Sequence, residues 1–320
     1  MIQEVLTVLR NLLQGLPPSV LWAVLWAVGL VVASVFCAFL LSWKVPRAYS
    51  VAVIGFSRAG KTTLIQALFE QVRDGKIEVK GVRPTLSAKG TKARIERQSA
   101  WLERQQALGP TRDQDMYAYR TDIELGALFR KPYKVEFGDF PGVMSEELAD
   151  GAIEPLLDRD YAKWVCEADA FIFAIDLARL FEDYERTAEI NRAYLARVTT
   201  GIRTSWQYIT ENHISGNGVK SLPVVLAFTK SDLINYVSDD PSVNVTELIQ
   251  KWGFDEMPEI KEVDCQKLAQ YAPRVKEAFS KPRSVLKEKG NKFTEVFVSS
   301  FGNMDGYRLG FDDLLLAIMP

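Results

Sequence analysis

The sequence predicts an α/β protein with a doubly wound, mostly parallel sheet behind one N-terminal transmembrane helix. Three observations carry this prediction. Short apolar segments alternate with helical patterns along residues 49–320. Several of these segments end in Gly, Asp, Thr or Ser, at positions where parallel strands present ligand-binding loops. Upstream, residues 20–41 form a run of 22 residues without a charge.

The composition is that of a globular protein. The chain has 320 residues, of which 48% are hydrophobic and 25% charged, and its formal net charge is −2. The near-neutral charge argues against bulk electrostatic binding of nucleic acid, so no nucleic-acid partner is expected. Three cysteines are too few for a disulfide framework, and the single histidine, His213, argues against His-based catalysis or metal binding.

The uncharged run Val20–Leu41 has the length of a membrane span. At 1.5 Å per residue a helix over this run covers the ~30 Å hydrocarbon core. Lys44 and Arg47 follow it directly, so the positive-inside rule predicts a single-pass protein whose C-terminal bulk is cytoplasmic, in a bacterial inner membrane. A cleaved signal peptide is less favoured, because the run exceeds a 7–15-residue signal core and no A-x-A-like site follows it.

The sequence divides into four parts. Residues 2–15 have apolar residues at helical spacing, which fits a short interfacial helix or a contact with a membrane partner. The predicted parts are an amphipathic segment 1–18, a transmembrane helix 19–43, a linker 44–48 and a cytoplasmic domain 49–320 with insertions near 76–110 and 235–292.

The first motif of the cytoplasmic domain is a glycine-rich loop between a strand and a helix. A strand is predicted at Tyr49–Gly55, and the next residues match G-x-x-x-x-G-K-[ST] before the helical pattern 62–72. In such a loop backbone amides surround phosphates, Lys61 reaches the β and γ oxygens, and the Thr62 hydroxyl is a Mg²⁺ ligand. The candidate phosphate-binding residues are Gly55, Ser57, Arg58, Ala59, Gly60, Lys61, Thr62 and Thr63.

A second motif follows the predicted strand Lys134–Gly138. The sequence continues Asp139-Phe-Pro-Gly142. A carboxylate at a strand end can hold Mg²⁺ through water, and the Gly142 amide is placed to sense a γ-phosphate. Asp139 is therefore a candidate metal ligand together with Thr62.

The third motif follows the buried strand Val224–Phe228, which runs into Thr229, Lys230 and, two residues on, Asp232. The order and spacing of these residues resemble the GTPase [NT]-K-x-D motif, and their chemistry suits guanine. A carboxylate can accept two hydrogen bonds from guanine N1–H and its 2-amino group, a donor pair that adenine lacks. The stem of Lys230 can cover the base plane.

A fourth strand is predicted at Thr294–Ser299, and Ser300 follows it. The segment that begins with these two serines resembles the loop whose backbone amide reaches guanine O6. Each later motif is weak alone, but four in this order, each at the carboxyl end of a strand, are specific. Further predictions are a buried strand at Ala170–Asp176, a helical stretch from Leu177 to about Asn212 interrupted near 199–201, and a closing helix Phe311–Met319.

With these motifs, residues 49–320 resemble a P-loop GTPase of the translation-factor-related (TRAFAC) class. The loop GFSRAGKT with a later Asp-Phe-Pro-Gly resembles bacterial YcjX-like GTPases. The layout of one N-terminal span before a GTPase body is similar to the β-subunit of the signal-recognition-particle receptor. The resemblance implies that GTP or GDP binds with Mg²⁺ and that GTP is hydrolysed.

The switch I threonine has two candidates. Thr111 and Thr85 each follow a proline. Thr111 is preferred, because it lies just before a predicted strand at Met116–Leu125, which would pair with the next strand through a turn near 130–132. Thr85 would then precede an inserted helix at 91–108. The predicted metal ligands are thus Thr62, Thr111 and Asp139.

The expected function is a membrane-anchored GTPase switch with a protein effector or membrane partner. The alternative is a GTP-dependent membrane scaffold or receptor subunit with little intrinsic hydrolysis. Val143 occupies the position after Asp-x-x-Gly at which many small GTPases place a water-orienting glutamine. The P-loop resembles that of guanylate-binding proteins and atlastins, which implies that Arg58 is an internal arginine finger. The alternatives are an arginine that only steers the nucleotide and one that forms a salt bridge with a nearby acid. The predicted catalytic residues are Lys61, Arg58 and Thr111.

Overall fold

The computed structural model places two compact units, Met1–Pro46 and Arg47–Pro320. It describes residues 17–44, 47–79, 81, 83–84, 117–125, 131–139, 160–182, 184, 189–213, 221–237, 262–287, 291–301 and 306–319. The predicted amphipathic pattern at 2–15 and the inserted helix at 91–108 lie outside these ranges, as does most of the predicted insertion near 235–292.

In the first unit the structure describes one helix, α1, Pro18–Lys44, of 27 residues. Pro18 lies at its first position, where a missing backbone N–H leaves no helical hydrogen bond unmade. The Trp22 and Trp26 side chains are 64% and 70% exposed. Among the residues that the structure describes, no helix meets the length and hydropathy required for crossing a membrane. The transmembrane assignment of 19–43 is therefore not supported.

The second unit is built on a six-stranded sheet in the order β2-β3-β1-β4-β5-β6. Five strands are parallel, and the edge strand β2 runs antiparallel to β3. The strands are β1 (Arg47–Ile54), β2 (Tyr117–Leu125), β3 (Lys131–Asp139), β4 (Ala170–Asp176), β5 (Pro223–Thr229) and β6 (Lys292–Phe297). The described helices of this unit are α2 (Lys61–Arg73), α3 (Asp160–Cys166), α4 (Leu177–Leu180), α5 (Arg192–Asn212), a 3₁₀ helix (Ser231–Tyr236), α6 (Cys265–Ala278), α7 (Ser280–Lys287) and α8 (Phe311–Ile318).

The central strands are apolar throughout because both faces of the sheet are covered. Successive side chains of a strand point to opposite faces. Val51 and Val53 of β1 belong to a core with α2 and α8, whereas Ala52 and Ile54 belong to a core with α5, α6 and α7. The predicted doubly wound α/β sheet is therefore confirmed.

The strand order reverses at β1, whose neighbours are β3 on one side and β4 on the other. In open α/β sheets ligands bind at such a switch point, outside the carboxyl ends of the strands. The glycine-rich loop follows β1, so the fold places it in this crevice.

Two local predictions are wrong. The stretch after β4 breaks between α4 and α5, and not near 199–201, since α5 runs without interruption from Arg192. The Asn191 side chain caps it by accepting a hydrogen bond from the Tyr194 amide, and a side chain that satisfies a free amide starts a helix. Pro132, expected near the turn, lies within β3 opposite Glu124, and a proline is tolerated near the start of a strand.

Candidate functional site

The glycine-rich loop joins β1 to α2 in the predicted way. Lys61 begins α2 and is only 6% exposed. Its ammonium group donates to the carbonyl oxygens of Gly55, at 2.8 Å, and Phe56, at 3.0 Å. The loop is therefore folded around the amine that the sequence assigns to the phosphates. Ser57, Thr62 and Thr63 of the same segment are half-buried.

The backbone of the loop depends on small residues at two points. A Cβ atom added to Gly55 would lie 2.7 Å from the carbonyl oxygen of Ala174 in β4. Gly60 has φ 77°, the left-handed region that favours glycine. Arg58 also has a positive φ, 65°, and its side chain is exposed. A non-glycine residue in this region is uncommon and costs conformational energy, so the turn is shaped by its surroundings.

Thr229 joins the end of β5 to the glycine-rich loop. Its buried hydroxyl lies 2.8 Å from the carbonyl oxygen of Ala59 and 2.9 Å from that of Ile175. A hydroxyl has one proton, so it serves the two carbonyls in turn. The third motif is thereby in direct contact with the first.

Lys230 is held by an acid that lies outside the four sequence motifs. Its ammonium group lies 2.7 Å from Oδ2 of Asp176, the last residue of β4, which is 2% exposed. The other oxygen of Asp176 accepts from the Ala178 amide and caps α4. The sequence does contain a signal for Asp176, since this carboxylate ends a buried strand that lies between two strands carrying motifs.

Asp232 is a buried carboxylate with an assigned partner. It is 8% exposed, and its Oδ1 accepts a hydrogen bond of 2.8 Å from the Ser299 hydroxyl. Burial raises the pKa of Asp232, while the Ser299 hydrogen bond and the charge of Lys230 oppose this rise. The third and fourth motifs thus meet, as their strand ends predict. Ser300 is half-buried beside them in sequence.

The two candidate metal ligands, Thr62 and Asp139, are residues of the chemical kind that Mg²⁺ prefers. Thr62 lies in the first turn of α2, and Asp139 ends β3 in register with Val53 of the adjacent β1. A hydroxyl and a carboxylate are hard oxygen donors, and Mg²⁺ is commonly held by one or two such groups together with phosphate and water. Within the described ranges no group of three or more His, Cys, Asp or Glu could hold a metal ion by itself.

Several predicted site residues lie outside the described residues. These are both switch I candidates, Thr111 and Thr85, the amide-bearing Gly142 and the neighbouring Val143. The structure therefore brings together the glycine-rich loop, the Thr229–Asp232 segment and Ser299, and it places the end of β3 beside β1.

A glycine-rich loop at the switch point of a doubly wound sheet, with a lysine at the start of the following helix, defines a P-loop nucleotide-binding protein. A family model described as Double-GTPase 2 matches residues 50–281, more than two thirds of the chain. The chain belongs to this GTPase family. No curated protein matches the chain significantly.

Proposed function

We propose that this protein is a membrane-anchored switch that binds GTP and GDP and hydrolyses GTP with Mg²⁺. The observation that carries the choice of base is the buried Asp232 carboxylate. It accepts a hydrogen bond from Ser299 and lies three residues after Thr229, which contacts the P-loop. When bound, Mg²⁺ would neutralise charge on the β and γ phosphates. Thr62 and Asp139 would hold it, with Thr111 as the predicted switch I ligand.

The base assignment is tested by exchanging the Asp232 carboxylate for an amide. The wild-type protein should bind GTP far more tightly than ATP, since a site built on paired hydrogen bonds rejects a base without them by roughly 10⁴ in favourable cases. Asp232→Asn should shift the preference toward xanthine nucleotides, whose 2-oxo group matches an amide donor.

The matched control is Asp264→Asn, the same exchange at the exposed cap of α6, where either residue caps well. It should leave the preference for guanine unchanged. Equal affinity of the wild-type protein for ATP and GTP would refute the guanine assignment.

Hydrolysis requires a group that stabilises charge on the γ-phosphoryl oxygens. Arg58 is the proposed internal source, because it lies within the P-loop with an exposed side chain. The alternative is a scaffold that hydrolyses little without an external activating protein. Multiple-turnover assays of the full-length chain, with and without vesicles, separate the two functions: a scaffold would bind GTP without appreciable turnover in either condition.

Membrane anchoring is proposed from the sequence, on the uncharged run 20–41 and the bases that follow it. The full-length chain should float with phospholipid vesicles and resist extraction by high salt. Deleting residues 1–43 should leave a nucleotide-binding protein that stays in the aqueous fraction. Flotation of the shortened chain would contradict the proposal.

The resemblance to YcjX-like GTPases and to the layout of the signal-recognition-particle receptor β-subunit stays a prediction.

A further inference from the structure

A short segment after the fourth motif makes contacts with both the end of β6 and helix α2. We call residues 306–309 the returning arm. The Ser299 amide donates to the carbonyl oxygen of Leu309 at 3.2 Å, which ties the arm to the fourth motif. Gly310, with φ 78°, directly precedes α8, and a Cβ atom there would lie 2.0 Å from the carbonyl oxygen of Phe297. The arm is therefore fixed closely against the end of β6.

The returning arm docks on the face of α2, the helix that starts at the P-loop lysine. Gln71 donates from Nε2 to the Gly306 carbonyl oxygen at 2.7 Å, and its Oε1 accepts from the Arg308 amide at 3.3 Å. The Arg308 guanidinium forms an ion pair with Glu70. Glu70 and Gln71 are 4% and 3% exposed, and Gln66 also donates to Glu70, at 3.1 Å. These groups form a buried polar network between α2 and the arm.

A buried ion pair is weak evidence for stability, because the desolvation of both charges offsets their attraction. Its better-attested effect is to fix one arrangement of the elements that carry it. Here those elements are the P-loop helix and the arm that ends at the Ser299–Leu309 hydrogen bond. A contiguous series of contacts then leads from Glu70 through Arg308 and Ser299 to the Asp232 carboxylate.

We propose that Glu70, Gln71 and Arg308 form a clamp that positions Ser299, and through it Asp232, for recognition of the guanine base. All three are positioning residues. Glu70 and Gln71 act from α2, and Arg308 acts from the returning arm. This inference rests on the proposed guanine-nucleotide function. It predicts that weakening the clamp lowers selectivity for the base, because the orientation of the Asp232 carboxylate is what the clamp fixes.

The test compares GDP with inosine diphosphate, which lacks only the 2-amino group. The full-length wild-type protein should bind GDP at least about tenfold more tightly than inosine diphosphate, since the 2-amino group of guanine donates a hydrogen bond to a charged carboxylate. Arg308→Met should weaken the binding of GDP by about tenfold and the binding of inosine diphosphate by only two- to threefold. The ratio of the two affinities should therefore become smaller. Arg308→Lys, which keeps the charge, should restore part of the ratio.

The matched control is Arg73→Met, which removes the partly exposed ion pair of Arg73 with Asp74 at the carboxyl end of the same helix. Its affinity ratio should equal that of the wild type. Gln71→Met is the second variant, for the case that Arg308→Met does not fold, as judged by thermal unfolding. A folded clamp variant in which both affinities fall together, at a wild-type ratio, would overturn the inference. A wild-type protein without preference for GDP would instead contradict the proposed function.

Discussion

Replacing Thr229 by valine removes one hydroxyl that serves two buried carbonyls. The substitution keeps the branched shape, so the lost interaction is the hydrogen bond shared between the oxygens of Ala59, at 2.8 Å, and Ile175, at 2.9 Å. A neutral hydrogen bond contributes about 1 kcal/mol net, and a buried polar group left without its partner costs about 1–3 kcal/mol. We therefore expect the free energy of unfolding to fall by about 1–3 kcal/mol. GDP affinity should fall as well, because Ala59 belongs to the P-loop.

Urea unfolding and GDP titration of the same samples measure the two effects. The matched control is Thr199→Val, in which the lost hydroxyl donates to the Leu195 carbonyl one turn earlier in α5, at 2.7 Å. That carbonyl lies in the interior of a helix, whose backbone ladder supplies its partner, so the control should change stability by less than about 0.5 kcal/mol. If Thr229→Val lowers stability no more than Thr199→Val, the hydroxyl does not hold the P-loop in the manner inferred.

Three further predictions concern the backbone, pH and turnover. Gly310→Ala should lower the free energy of unfolding by at least ~2 kcal/mol, measured in urea, because a left-handed φ and a backbone oxygen at 2.0 Å from the new Cβ act together; an unchanged midpoint would refute the close approach. Burial raises the pKa of Asp232, so this carboxyl loses its proton between the ordinary aspartate pKa and the raised value. As the pH rises through this window, GDP affinity should increase, while the contribution of Asp232 to the free energy of unfolding falls. GDP titrations and urea unfolding across the window should show both changes in the wild type and neither in the reference variant Asp232→Asn. Arg58→Ala should lower kcat by about 10² or more with GTP affinity within several-fold if Arg58 is an internal finger; a wild-type rate in single-turnover assays would assign that role to an external activating protein.

The strands were predictable because their side-chain pattern and their ends carry separate signals. Apolar runs such as 170–175 and 224–228 require cover on both faces of the sheet, and the polar residues after them mark its carboxyl edge. The observed β4 has the predicted bounds, and β5 differs by one residue at each end. The break between α4 and α5 was missed, since a capping Asn191 is one polar residue among many and only the structure shows that its side chain accepts from a helical amide.

Contacts between distant parts of the chain were the part that local patterns did not contain. The meeting of Asp232 with Ser299 follows from adjacent strand ends, so sequence order was sufficient to expect it. The pairing of Arg308 with Glu70 spans 238 residues and involves no motif. Asp176 could be predicted as a strand residue, but its contact with Lys230 could not. That contact depends on the left-handed backbone conformation of Lys230 after β5, φ 59°, which the residue type does not indicate.

The contacts of Lys61 bear on the solvation cost of ligand binding. An ammonium ion in water must lose hydration before it can approach a phosphate, and that loss opposes association. In this structure the amine already lies against the oxygens of Gly55 and Phe56 and is almost fully covered. A nucleotide entering the loop therefore exchanges one set of oxygen partners for another. Most of the dehydration of this lysine belongs to the folding of the chain, and little of it to the capture of the ligand.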